Sequence, residues 1–260
     1  MRFHTFGDPS RPVVLLLHGM LTPWQIWEEA IDHFSPDYYV IVPELDAHTE
    51  EAPSRFESIE REAQTIEDYL LSQCGGKADV LCGLSMGGMI AAVLCGRGKI
   101  PFRAVVLDGA PLIRLPKPAK SLMKHSYKTI IRKSQQRDPK VLESARRDFL
   151  PEKYLPAFLK IADLMTEDSI DHMIDTVFSG CDLHPAEGTR LLFLHGTKGN
   201  EYAARKSARR LKSVYPSTEV QCFPGYAHAQ LAVFEPERWS SVVEAFLQED
   251  EQKKNEPSPL

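Results

Sequence analysis

Three features of this 260-residue sequence predict an α/β fold with a mostly parallel central sheet and helices on both faces. Short continuous runs of β-branched and leucine residues, such as Val13–Leu17, read as strands buried on both sides. They alternate with longer stretches whose apolar residues recur at helical spacing. One strand-like run passes through Gly83-Leu84-Ser85-Met86-Gly87 into a segment of small and apolar residues able to open a helix. Strand and helix in alternation imply parallel strands joined by crossovers.

Residues 3–6 read as a short first strand that Asp8-Pro9-Ser10 breaks. Val13–Leu17 ends at His18-Gly19-Met20-Leu21. Trp24, Ile26 and Trp27 open a helix toward Phe34, residues 38–42 form the next strand, and Pro43-Glu44-Leu45-Asp46-Ala47-His48 follows as a loop. Ser54 is placed to cap a helix carrying Ile59, Ala63, Ile66 and Leu70 at helical spacing, and Gly75-Gly76 ends it. After the serine turn, residues 104–107 make a strand closing at Asp108-Gly109-Ala110-Pro111. From residue 112 to 188 the pattern is helical only. Its first helix, 120–133, carries Leu122, Met123, Tyr127, Ile130 and Ile131 on one side and Lys120, Lys124, Lys128 and Arg132 on the other; 139–149 and 155–178 read as two more. The alternation resumes with a strand at 191–194, then His195-Gly196, a basic amphipathic helix at 203–214, the last strand Glu219–Phe223, Pro224-Gly225-Tyr226-Ala227-His228, and a closing helix at 239–247. The expected division is a core of 1–111 and 189–247, a helical cap of 112–188, and a charged, proline-containing tail, 248–260, predicted disordered.

A net charge of −5 argues against nucleic acid, whose partners usually present strongly basic surfaces. The five cysteines, Cys74, Cys82, Cys95, Cys181 and Cys222, are odd in number and form no Cys-x-x-Cys pair, so buried reduced thiols and a cytoplasmic location are expected. The N-terminal residues show no signal-peptide apolar region, and no apolar run is long enough to span a bilayer. There is no His-Glu-x-x-His, no cysteine cluster and no complete phosphate loop, so neither metal nor cofactor is expected; His48, His125, His172 and His184 are scattered. Nothing in the residues specifies an oligomeric state.

In sheets of this kind ligands sit beyond the carboxyl ends of the strands. His18, Ser85, Asp108, His195 and His228 all fall at or just past a predicted strand end and should converge on one edge. Gly83 and Gly87 leave room for a tight turn that lifts Ser85 above the sheet, the form of a nucleophile elbow. The helix starting at Met86 points free N–H groups at the same spot.

Together, His18-Gly19 after the first long strand, Gly83-Leu84-Ser85-Met86-Gly87, the helical insert, His195-Gly196 and Gly225-Tyr226-Ala227-His228 make the chain resemble the α/β-hydrolase fold superfamily from Val13 to about Leu247. The resemblance implies Ser85 as nucleophile, His228 as base, and Met86 and Met20 as backbone donors of an oxyanion hole, with Leu21 next in line after Met20. His18 is expected to brace that loop. The acid departs from the family's pattern: Thr197-Lys198-Gly199-Asn200-Glu201 holds no aspartate. Glu201 is the expected acid, with Asp108 the alternative, because some members carry theirs at that strand end. Phe149, Tyr154, Phe158, Met165, Met173 and Phe178 are candidates to line an acyl pocket, with Leu21, Trp24 and Trp27 near its floor. The basic face of the first cap helix reads either as solvated surface or as a lure for an anionic substrate. The expected activity is hydrolysis of a small-molecule carboxylic ester or thioester through an acyl-enzyme. The alternatives are a C–C lyase or proton-transfer enzyme on the same fold, and a non-catalytic ligand-binding relative.

Overall fold

Continuous apolar runs must be covered on both faces. The computed structural model, which describes residues 1–255, buries them inside a seven-stranded sheet ordered β1-β3-β2-β4-β5-β6-β7. β1 (Arg2–Phe6) pairs antiparallel with β3 (Tyr39–Glu44); β2 (Val13–Leu17), β4 (Val80–Leu84), β5 (Ala104–Asp108), β6 (Arg190–Gly196) and β7 (Glu219–Phe223) extend the sheet in parallel. Every residue of β2, β4 and β5 is buried. Each such leucine or valine contributes roughly 1.5–3 kcal/mol of transfer free energy. Helices α1 (Glu28–Phe34), α2 (Ile59–Gln73), α3 (Met86–Arg97), α8 (Tyr202–Val214), α9 (Gln230–Phe234) and α10 (Pro236–Asn255) belong to this core. Helices α4 (Lys117–Gln135), α5 (Pro139–Asp148), α6 (Leu155–Leu164) and α7 (Glu167–Val177) form the insert between β5 and β6.

Register brings the strand ends level. Leu17 pairs with Gly83, Leu84 with Asp108, and Asp108 with Leu194. The residues that follow, His18, Ser85, Gly109 and His195, therefore emerge together on one edge, as the chain pattern predicts.

Several local expectations are corrected. Residues Trp24–Trp27 form a separate 3-10 turn before α1. Ser58, not Ser54, caps α2 by accepting from Arg61 N–H at 3.1 Å, while Ser54 Oγ accepts from Ala47 N–H at 2.8 Å. The expected single helix over 155–178 is two, because Thr166 starts a new cap by accepting from Ser169 N–H. On α4 only Met123, Tyr127 and Ile131 turn inward; Leu122 is 71% exposed, since five apolar residues spanned too wide an arc for one face. The basic side of α4 faces an acidic partner. It is paired with α7: Lys124 with Asp175 at 2.6 Å, Lys128 with Asp171 at 2.7 Å and Arg132 with Glu167 at 2.8 Å. All five cysteines are free thiols; Cys222 is exposed because it faces outward from the edge strand β7. Helix α10 continues through Asn255, so 248–255 extends the closing helix, and 256–260 lie outside the described residues. Among the described residues no helix is long and apolar enough to cross a membrane.

Candidate active site

Ser85 sits where β4 meets α3, with φ 51° and ψ −108°. A non-glycine residue held at positive φ is strained, and the surroundings must enforce it. They do so from two sides. Ser85 N–H donates to Asp108 O at 2.7 Å, fastening the turn to β5. Gly87 lets α3 approach β2: a Cβ there would lie 2.3 Å from Leu17 O. The serine is thereby raised at the mouth of the sheet edge.

His228 arrives on the loop after β7 and bridges Ser85 and Glu201. Its Nε2 lies 2.8 Å from Ser85 Oγ, and its Nδ1 is hydrogen-bonded to Glu201 Oε1. Its backbone N–H donates to Asn200 Oδ1 at 3.2 Å. Glu201 ends a 3-10 turn, Gly199–Glu201, and its second oxygen accepts from Gly196 N–H at 2.9 Å. Burial alone would raise the Glu201 carboxyl, but hydrogen bonding and the nearby charge of His228, with the Gly196 N–H, hold it below the ordinary range.

The rival carboxyl, Asp108, makes no hydrogen bond to His228 among the described residues. It is buried, and Oδ2 lacks a well-formed partner, as does the indole N–H of Trp239, which interacts with it only weakly. Burial, then the neighbouring Glu201 charge, pushes its pKa up to about 7. Two carboxyls thus flank one imidazole, and their surroundings drive them apart: Glu201 toward the ionised form and Asp108 toward the neutral one.

Met20 and Met86 border the space in front of Ser85. Neither Met20 N–H nor Met86 N–H has a protein acceptor among the described residues. Leu21, the next residue in line, is excluded as a donor, because its N–H already donates to His48 Nε2 at 2.9 Å.

A cavity of about 330 Å³ opens here. Its apolar walls come from Met20, Met86, Met123, Phe149 and Phe178, and Tyr127 joins them from α4. Of the nine apolar candidates for the pocket, Phe149 and Phe178 reach this lining. Leu21 turns into the core at φ 62°. Trp24 stacks on His4 of β1, ring centroids 4.0 Å apart. Phe158 is buried behind Phe149, edge to face at 6.1 Å. Met165 and Met173 are likewise core, and Tyr154 OH donates to Glu29 at 2.8 Å. Sequence spacing gives which helix carries these side chains but not which face meets the serine. Asp148 and Asn200 continue the lining into an outer cleft of about 460 Å³ that also carries Arg147 and Lys198. A hollow of about 540 Å³ lined by Arg11, Asp79 and Arg103 lies at the opposite ends of the strands, away from Ser85.

The sequence model of the alpha/beta hydrolase family matches residues 14–245. Among curated proteins, a stretch of 116 residues is 32% identical to epoxide hydrolase 3 of Xenopus tropicalis, covering 43% of this chain and 31% of that protein. The chain therefore spans less than a third of that relative's length. Among solved structures, a carboxylesterase from the thaumarchaeon Nitrososphaera gargenis superposes with a TM-score of 0.75 at 14% identity, over 97% of this chain and 95% of that one. The carboxylesterase CesB of Bacillus subtilis gives 0.69 at 16% identity, over 94% and 86%. At these identities the likeness is one of fold.

Proposed function

The chain belongs to the alpha/beta hydrolase family, and on that premise we propose that it is a serine hydrolase cleaving a carboxylic ester or thioester of a small to medium acyl group. The single observation that carries this reading is His228 standing between Ser85 Oγ and the Glu201 carboxylate. A serine hydroxyl is a weak nucleophile until a base takes its proton. In the proposed cycle Ser85 Oγ attacks the acyl carbonyl carbon while His228 Nε2 accepts its proton. Glu201 holds the imidazole with Nδ1 protonated and stabilises the imidazolium that forms. The carbonyl electron pair moves onto oxygen, which the Met20 and Met86 N–H groups receive. When that oxygen re-forms the carbonyl, the bond to the leaving alcohol or thiol breaks and His228 returns the proton to it. Water, deprotonated by the same His228, then releases the acid from Ser85.

Two orphan backbone donors beside a nucleophile suit a carbonyl oxygen that gains full charge, which favours acyl transfer over a purely binding role. The 330 Å³ cavity suits the acyl group, and the outer cleft with Arg147 and Lys198 suits the leaving group. The test is a panel of esters and thioesters of graded acyl length, with a fluorophosphonate to trap the nucleophile. Turnover together with a covalent adduct on Ser85 is the expected result. No turnover and no adduct sinks the hydrolase reading in favour of a binding protein. Cleavage confined to C–C substrates moves the chain to lyase chemistry.

A further inference from the structure

Two buried histidines clasp the loop that carries Met20. The rings of His18 and His48 are fully buried and meet edge to face, centroids 5.0 Å apart. His18 lies on the loop after β2, and its Nε2 accepts from Leu45 N–H of the loop after β3 at 3.2 Å. His48 lies on that second loop, and its Nε2 accepts from Leu21 N–H of the first at 2.9 Å. The other nitrogens donate within their own loops, His18 Nδ1 to Gly19 O at 2.9 Å and His48 Nδ1 to Asp46 O at 3.0 Å. Each loop lends an imidazole to the other's backbone.

The residue held by His48 needs holding. Leu21 is buried at φ 62°, a region a leucine rarely adopts, and without an acceptor its buried N–H would be left unpaired. Met20 N–H belongs to the Gly19–Met20 peptide, whose carbonyl accepts from His18 Nδ1 and Thr22 Oγ1, both at 2.9 Å; anchoring Leu21 N–H fixes the Met20–Leu21 peptide, so that Met20 is held from both sides. The loop lies against the serine: a Cβ built on Gly19 would be 3.6 Å from Ser85 Cβ. Burial pushes the pKa of His48 down to about 4 and that of His18 to about 3, so both rings keep the lone pair that accepts throughout the neutral range.

We propose that His48 is a positioning residue for acyl transfer: by accepting the Leu21 N–H it sets the Met20–Leu21 peptide so that Met20 N–H, and not Leu21 N–H, receives the developing oxyanion. The proposal rests on Ser85 being the nucleophile. It requires an acceptor at the position of Nε2 and not the imidazole as such, so glutamine should substitute where leucine cannot.

The experiment compares His48→Gln with His48→Leu on a 4-nitrophenyl ester that the parent cleaves, and measures the Leu21 amide by NMR. His48→Leu should lower kcat about 10- to 100-fold with KM near the parent value, short of the full loss expected on deleting an oxyanion donor. His48→Gln should return to within about fivefold of the parent, on the strength of its retained acceptor. In the uniformly ¹⁵N-labelled parent, scalar coupling across the hydrogen bond should link Leu21 N to His48 Nε2. That coupling needs no substrate, so an inactive parent sinks the hydrolase reading while the coupling still decides the clasp. Absence of the coupling overturns the proposal, as does full kcat in folded His48→Leu, or equal losses in the glutamine and leucine variants. If His48→Leu does not fold, His48→Asn replaces it: its shorter amide withdraws the acceptor from Leu21, and full kcat there overturns the proposal equally.

Discussion

The two halves of the candidate site are held in different ways. The core half is fixed by backbone: Ser85 by its N–H on Asp108 O, Glu201 by Gly196 N–H, His228 by Asn200, and the Met20 loop by His48. Behind it, α3 buries nine of its 12 residues. The insert half presents Met123, Tyr127 and Phe149 from elements that bury little, and Phe178 from the end of the better-buried α7. Helix α4 buries only Ile131 and Ser134 of its 19 residues, and α5 buries none. What holds α4 to α7 is partly a ladder of partly exposed ion pairs, each worth about 0.2–1 kcal/mol. The groups proposed to move electrons are thus over-determined, whereas the wall proposed to select the acyl group rests on contacts that substitution can retune cheaply.

The sharpest way to break this contrast is at Ser85. Ser85→Ala should reduce turnover by at least about 10⁴-fold and abolish fluorophosphonate labelling, with an unchanged circular dichroism spectrum. Near-parental activity would remove the elbow from the chemistry and leave the core half without a purpose.

The two carboxyls offer the next test. Glu201→Gln should cut kcat by roughly 10³- to 10⁴-fold, because the imidazole loses the group that fixes its tautomer. Asp108→Asn should cost less than about tenfold, since its carboxyl does not touch the imidazole; the reverse ranking would make Asp108 the acid. The same variant has a stability signature. Because the Asp108 pKa is raised in the fold, the native state keeps a proton that the unfolded chain releases above about pH 4, and stability falls as pH climbs toward 7. Asp108→Asn removes that loss, so its Tm advantage over the parent should widen between pH 4 and pH 7. A constant difference across that range would show that the buried carboxyl is not titrating there.

A smaller effect is expected at Gly109, which has φ 65° and leaves room for the imidazole: a Cβ there would stand 2.8 Å from His228 Cε1. Gly109→Ala should displace the ring and lower kcat about 10- to 100-fold. Steady-state kinetics with unchanged kcat would mean that the ring is less tightly fixed than its bonds imply.

In the insert, Phe149→Ala should act on selectivity, changing the ratio of kcat/KM between long and short acyl esters by about 10-fold, the scale of a few methylenes in an apolar pocket. Equal loss on all chain lengths would place Phe149 in the machinery of the core half. The smallest effect belongs to the ion-pair ladder. Lys128→Met should lower Tm by less than about 4 °C in a differential scan, as expected for a half-buried pair at the protein surface in a chain of this size. A larger drop would mean that the insert is bound as tightly as the core.

Much of this could be read along the chain because it rests on local rules. Alternating strand and helix patterns, a glycine-spaced serine turn and residues placed just past strand ends sufficed for the sheet edge where Ser85, Glu201 and His228 meet. The elbow was legible because only small residues tolerate that turn. The cap of α2, the break at Thr166 and the inward face of α4 were less so, since several serines, threonines and apolar residues satisfied the same spacing and packing chose among them.

Sequence alone determined the sheet, the helical insert and which residue types stand at the carboxyl edge, because hydrophobic period and turn chemistry act over a few residues. Tertiary structure decided the rest. It put Glu201 rather than Asp108 on His228 Nδ1, although the two are 93 positions apart in the chain and both sit at that edge. It made His48, one of several scattered histidines, the acceptor for Leu21 at a separation of 27 residues. It turned the basic face of α4 onto the acids of α7. Each of these is a choice between partners of equal chemistry, and only distance and burial in the folded chain distinguish them.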